Sequence, residues 1–176
     1  LFETVGVGQS ETHVKQLVDF FLLLVLAGAG DELQGIKRGI MELADAILVT
    51  KADGENIINA KNSKNNYQNA SHLLPKKESN WVTRVETCSG TENKGIDKVW
   101  DILDEFKKHS INNGWIQENR TKQNVFWFHQ KLNQFIKNDF LSRKGIIEKL
   151  QKIELEVRNS KIDPFKAANK LFRNES

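Results

Sequence analysis

The sequence predicts an α/β protein, a mostly parallel sheet flanked by helices and followed by an all-helical carboxyl-terminal extension. Strand-forming runs at Phe21 to Leu26, Ala46 to Val49 and Val82 to Glu86 each end in a polar turn. Between them lie segments of helical periodicity, and that alternation builds parallel sheets. After Asn113-Gly114 no strand candidate remains, and aromatic-rich segments with apolar positions three and four apart take over. The boundary at that dipeptide divides a sheet domain, 1–112, from a helical arm, 113–176.

The elements follow in order. Leu1-Phe2 reads as the last turn of a strand, and Glu3-Thr4-Val5-Gly6-Val7-Gly8-Gln9-Ser10-Glu11 leads from it through a turn to a helix start. Ser10 can cap a helix running to Asp19, with Val14, Leu17 and Val18 on one face. Phe21 to Leu26 is a buried strand that releases the loop Gly28 to Lys37. Ile36, Ile40, Leu43 and Ala44 are spaced for a helix that faces the sheet. Ala46 to Val49 is a wholly apolar strand, and Gly54 to Leu74 a surface helix with sparse apolar positions. Beyond the third strand, Gly95 opens a helix whose predicted buried face is Ile96, Val99, Trp100, Leu103 and Phe106. In the arm, Val125, Phe128, Leu132 and Phe135 form one seam and Ile146, Leu150, Ile153 and Val157 a second. Asp163-Pro164 starts a last helix that would bury Ala167, Ala168 and Leu171. Trp127 and His129 read as packing residues.

The chemistry lies at the strand ends. Glu3 leaves a strand as a carboxylate placed to hold Mg²⁺ or its water shell, and the two glycines that follow let backbone N–H groups approach a phosphate. Thr50-Lys51-Ala52-Asp53 matches the guanine-reading pattern [Asn/Thr]-Lys-x-Asp. There a carboxylate accepts from two N–H groups of the base while the lysine stem packs along it. Adenine lacks that donor pair, and the resulting mismatch can discriminate by roughly 10⁴-fold. Thr87-Cys88-Ser89-Gly90 fits the short loop whose backbone donates to the guanine oxygen.

Together these stretches, with Asp19 to Leu24 and Gly28 to Glu42, closely resemble the MeaB/ArgK family. These are P-loop GTPases that accompany methylmalonyl-CoA mutase, formerly described as lysine/arginine/ornithine transport-system kinases. The resemblance implies a GTPase fold and GTP hydrolysis to GDP and phosphate with Mg²⁺. It also implies a metallochaperone-type role in loading or protecting the cobalamin of that mutase or of a related acyl-CoA mutase. It assigns Glu3 to the metal, Gly6 N–H to the γ-phosphate, and Gln9 to the site of the attacking water. Asp31, Gln34 and Lys37 fall in a partner-responsive switch, with Lys37 able to reach the phosphates. Without the resemblance the same loop reads as a solvated connection. Thr50, Lys51, Asp53, Ser89 and Gly90 hold guanine, Thr50 standing where Asn is commoner and Gly90 where Ala is usual. The resemblance further implies a homodimer formed through the helical extension, Trp115 through Phe172.

No Gly-x-x-x-x-Gly-Lys-[Ser/Thr] occurs, since Gly30 and Gly35 are followed by Ile36 rather than lysine. The family carries that loop upstream of the position of Glu3, so the chain looks like the carboxyl-terminal portion of a member and is expected to be inactive alone. The alternatives are a non-catalytic interaction or dimerisation module, and a transport-kinase-like ATPase. A net charge of +3 in 176 residues implies no strong pull toward nucleic acid or membrane, and Lys61, Lys64, Lys76 and Lys77 read as a solvated face because interleaved aromatics are few. The lone Cys88 precludes an internal disulfide and fits a reducing compartment, cytoplasmic or the mitochondrial matrix in a eukaryote.

Overall fold

The computed structural model describes Glu3, residues 14–27 and residues 38–173. Its elements are β1 (Leu22–Leu26), α1 (Arg38–Leu43), β2 (Ala46–Thr50), a 3₁₀ turn (Gly54–Asn56), α2 (Ile57–His72), β3 (Arg84–Thr87), α3 (Ile96–Asn112), α4 (Trp115–Ser142), α5 (Ile146–Arg158) and α6 (Pro164–Arg173). The strands lie in the order β1-β2-β3, all parallel. Leu26 is in register with Thr50, and Val49 with Thr87, so the polar turns after the three strands leave one edge of the sheet together. Parallel sheets place ligands at that edge.

Strand alternation sends side chains to two apolar clusters. Leu23, Val25, Ile47, Val49 and Val85 join Ile40, Met41, Ala60 and Tyr67 on one face, where α1 and α2 cover the sheet. Ala46 joins Trp81, Ile102 and Phe106 on the other, with Phe20, Leu22 and Trp115 packed against them. Phe106 is the hub, with edge-to-face rings from Phe20, Trp81 and Trp115 at 4.9, 5.4 and 5.6 Å. Burying side chains of this size stabilises by roughly 1.5–3 kcal/mol each.

Four expectations need correction. Lys77, read as part of a solvated face, sets its ammonium against the buried Asp45 with its side chain only 16% exposed. Leu24 and Leu26 are exposed, at 59% and 51%, although the continuous apolar run predicts a strand buried on both faces. No described element covers the Leu22 side of β1 at those positions. In α3, Trp100 is 67% exposed and Ile96 38%, and the buried face runs through Val99, Ile102, Leu103, Phe106 and Ser110. The predicted stripe was rotated by part of a turn, because it took every bulky residue as inward. In α6, Ala167 is buried and Ala168 exposed.

At the amino end of β2 lies a carboxylate that periodicity does not predict. Asp45 is 1% exposed and accepts from Lys15 Nζ, from Lys77 Nζ at 2.9 Å and from Phe21 N–H at 2.9 Å. Its backbone oxygen takes the Trp81 indole N–H at 2.9 Å. Burial pushes the Lys77 ammonium below its ordinary pKa, and Asp45 opposes that shift.

Two compact units divide at Asn124, inside α4. In the second, α5 packs on α6, with Ile146 and Ala167 buried and the Phe140 and Phe172 rings stacked at 5.3 Å. Asp163 Oδ1 accepts from Phe165 and Lys166 N–H at 3.0 and 3.1 Å, capping α6 as Asp-Pro promises. The α5 seam is inward, Ile146 fully and Leu150, Ile153 and Val157 partly. The α4 seam is not: Val125, Phe128, Leu132 and Phe135 are all exposed. No described helix is long and apolar enough to cross a membrane.

Candidate functional site

The turn after β2 and the turn after β3 are joined by backbone and side chains. Cys88 N–H donates to Val49 O at 2.8 Å and Ala52 N–H to Cys88 O at 3.0 Å, which continues the ladder past both strand ends. Ser89 and Lys94 exchange N–H···O bonds of 2.9 and 3.1 Å, closing the loop between them. Ser89 is fully buried. Its hydroxyl donates to Asp53 Oδ2 and accepts from Glu92 N–H at 3.0 Å. Thr91 Oγ1 donates to the same carboxylate oxygen at 2.8 Å. Asp53 is thus oriented from across the sheet edge.

The Ser89 hydroxyl, and after it the Thr91 hydroxyl, hold the Asp53 carboxyl below its ordinary pKa of 3.8. Partial burial works against them, and the charges of Lys51 and Lys94 add to the lowering. The group is therefore an anion at neutral pH, an acceptor only.

Lys51 is exposed and adopts φ +55°, a left-handed conformation uncommon for a residue with a Cβ. Asn56 supports it, since its Nδ2 donates to Lys51 O at 2.9 Å and reaches Ala27 O at 3.4 Å, tying the turn after β2 to the end of β1. Thr50 Oγ1 donates to Val25 O at 3.0 Å, so the threonine fastens neighbouring strand ends. Ser89 N–H is committed to Lys94 O, whereas Gly90 N–H has no partner among the described residues. A Cβ at Gly90 would meet no atom within 4 Å, so alanine also fits there.

The structure thus brings Thr50, Lys51, Asp53, Ser89 and Gly90 to one edge. Glu3 is exposed and belongs to no named element, and Gly6, Gln9, Asp31, Gln34 and Lys37 lie outside the described residues. Among the described residues no group of three metal-ligating side chains occurs. A single carboxylate still fits Mg²⁺, which keeps most of its waters and takes one or two carboxylates. Thr91, Asn56 and Lys94 are contributors that motif reading misses. The only sequence signal for Thr91 was a second hydroxyl two residues after Ser89.

The family model described as methylmalonyl Co-A mutase-associated GTPase MeaB matches residues 1–144. The chain belongs to this family. It is 39% identical over 164 residues to GTPase ArgK of Escherichia coli (strain K12), covering 93% of this chain and 50% of that protein. It is 36% identical to the mitochondrial methylmalonic aciduria type A homolog of Mus musculus, over 98% of this chain and 42% of that one. A solved structure described as LAO/AO transport system kinase superposes with a TM-score of 0.74 at 36% identity, covering 96% of this chain and 54% of that chain. The chain spans about half the length of these relatives. Its parallel sheet flanked by helices is part of the same P-loop GTPase fold.

Proposed function

We propose that this chain supplies the guanine-reading part of a GTP-binding, GTP-hydrolysing protein of the metallochaperone type, which serves a cobalamin-dependent methylmalonyl-CoA mutase or a related acyl-CoA mutase. The observation that carries the reading is Asp53, ionised and oriented by two hydroxyls at the carboxyl edge of a parallel sheet. Its carboxylate accepts from guanine N1–H and the 2-amino group, Lys51 lies along the base, and Gly90 N–H meets the guanine oxygen. Adenine in that place leaves the carboxylate facing a ring nitrogen with no proton, a polar mismatch costing several kcal/mol.

The phosphate end rests on family resemblance. Glu3 would hold Mg²⁺ directly or through its water, the Gly6 N–H would meet the γ-phosphate, Gln9 would shape the place of the attacking water, and Lys37 would bring a positive charge to the phosphates. Bound Mg²⁺ supplies neutralisation of the charge that develops on the transferred phosphoryl group. Asp31, Gln34 and Lys37 form the loop that answers the mutase. The region 1–112 acts as the nucleotide domain and 113–176 as the arm through which two copies associate. The family names, which pair GTPase with mutase, support the partner, and the uncovered apolar seam of α4 supports the arm.

The test is calorimetric titration of the chain with GDP, ADP and XDP, in the original sequence and in Asp53→Asn. Binding of GDP alone is expected for the first. The asparagine amide donates where the carboxylate accepted, so Asp53→Asn should lose GDP and gain XDP, whose 2-oxo group accepts. Equal affinity for ADP and GDP would overturn the guanine reading in favour of the ATPase alternative. No binding by a folded sample would leave the chain an interaction module.

A further inference from the structure

Thr91 has one hydroxyl proton and two acceptors within reach, Asp53 Oδ2 at 2.8 Å and Ser89 Oγ at 3.0 Å. Ser89 cannot exchange roles as freely. Its own proton goes to Asp53, its oxygen already accepts from Glu92 N–H at 3.0 Å, and its side chain is fully buried. Both hydroxyls converge on Oδ2, and among the described residues no hydrogen bond reaches Oδ1. A carboxylate that reads guanine must offer both oxygens to two N–H donors. Oδ1 is open for one of them, whereas Oδ2 is crowded by two protons.

We propose that Thr91 is a positioning residue that holds the Asp53 carboxylate in its base-reading pose and, when guanine arrives, turns its hydroxyl proton from Asp53 Oδ2 to Ser89 Oγ. No covalent bond changes and no hydrogen bond is lost. The Thr91 proton exchanges one acceptor for another, and a guanine N–H takes the vacated lone pair. The hydroxyl thereby stands in for part of the base while the site is empty, which limits the rotamer freedom Asp53 would otherwise lose on binding. Thr91 itself is exposed, so the swing meets no packed wall. The inference rests on the guanine reading of Asp53 and adds to it a residue outside the family pattern.

Three variants separate the hydroxyl from the bulk: Thr91→Val removes the donor and keeps the shape, Thr91→Ala removes both, and Thr91→Ser keeps the donor. In each, the Asp53 carboxyl is titrated by carbon NMR without nucleotide, and GDP affinity is measured across the acid range. Thr91→Val and Thr91→Ala should both raise the Asp53 midpoint. They should also move the acid limb of GDP binding to higher pH and weaken GDP at neutral pH by roughly threefold to tenfold, the scale of re-ordering one side chain that Thr91 no longer holds. Thr91→Ser should restore all three. A purely structural role would lower stability without moving the acid limb. An unchanged Asp53 titration in Thr91→Val overturns the inference even where GDP binds well. A shifted titration with unchanged GDP affinity overturns the base-reading role of Thr91. Loss of GDP binding from the unsubstituted chain instead overturns the guanine reading beneath it.

Discussion

Gly95 joins the candidate site to the helix behind it, and replacing it with alanine isolates one close approach. Its φ is +74°, and a Cβ there would lie 2.4 Å from Thr87 O and 3.4 Å from Cys88 Cα. Gly114 offers a matched control in the same compact unit, with φ +76° and no atom within 4 Å of the added carbon. Both substitutions carry the left-handed cost of a side chain, about 1–2 kcal/mol. Only Gly95→Ala adds an overlap of about 0.9 Å relative to an ordinary carbon–oxygen contact near 3.3 Å. The oxygen belongs to backbone, and its retreat strains the neighbouring Cys88 N–H bond to Val49 O at 2.8 Å. Overpacking of this kind costs about 1–3 kcal/mol. Gly95→Ala should therefore lose about 2 kcal/mol more than Gly114→Ala. With urea m-values of about 2 kcal/mol/M, the two midpoints should differ by about 1 M at equal slope. Gly95→Ala should also weaken GDP where both variants remain folded, because the Ser89 loop hangs on Thr87. Midpoints that coincide would refute the reasoning.

Other consequences can be checked with the same material. Asp45→Asn leaves Lys15 and Lys77 without their buried counter-charge and should cost about 3–5 kcal/mol in urea unfolding; an unchanged midpoint would mean that the pair is solvated. Burial raises the Glu86 carboxyl, but Lys64 at 2.8 Å and then Lys98 outweigh it and hold the group below 4.5. Its stabilisation is therefore full above pH 4.5 and is lost as pH falls through the lower folded value. Lys64→Met should flatten the acid side of the stability profile, and an identical profile would exclude the ion pair. Phe128→Glu with Leu132→Glu places charge on the exposed α4 seam and should convert the proposed dimer to monomer in sedimentation equilibrium; a dimer mass unaffected by the pair would assign self-association to another surface.

Legibility followed locality. The Ala46 to Val49 run announced β2 because a strand covered on both faces has only apolar positions. Asp163-Pro164 announced the start of α6 because an N-cap and its first turn are adjacent in sequence. Asp53 and Ser89 could be paired only through a motif, since 36 residues separate them and no local rule joins two strand ends. Thr91 and Asn56 escaped notice for a related reason, being polar loop residues whose role exists only once β1, β2 and β3 share an edge. Trp100 misled because a helical stripe fitted to size alone ignores where the sheet ends. The α4 spacing reads as a seam, yet its four positions are exposed, because periodicity says which residues share a face and not what covers that face.

The two aspartates that flank β2 show why burial alone does not mark a site. Asp45 is the more buried and the more heavily bonded, with two ammonium groups and a backbone N–H on its oxygens, so its acceptor capacity is used within the chain. Asp53 is half-buried, and its fixed bonds are two hydroxyls on a single oxygen. Hydroxyls can turn to another acceptor, whereas an ammonium buried against a carboxylate cannot leave without stranding a charge. Asp45 therefore cements the amino end of the sheet. Among the described residues Asp53 keeps one oxygen open and holds the other only through hydroxyls, the arrangement that the proposed guanine reading needs.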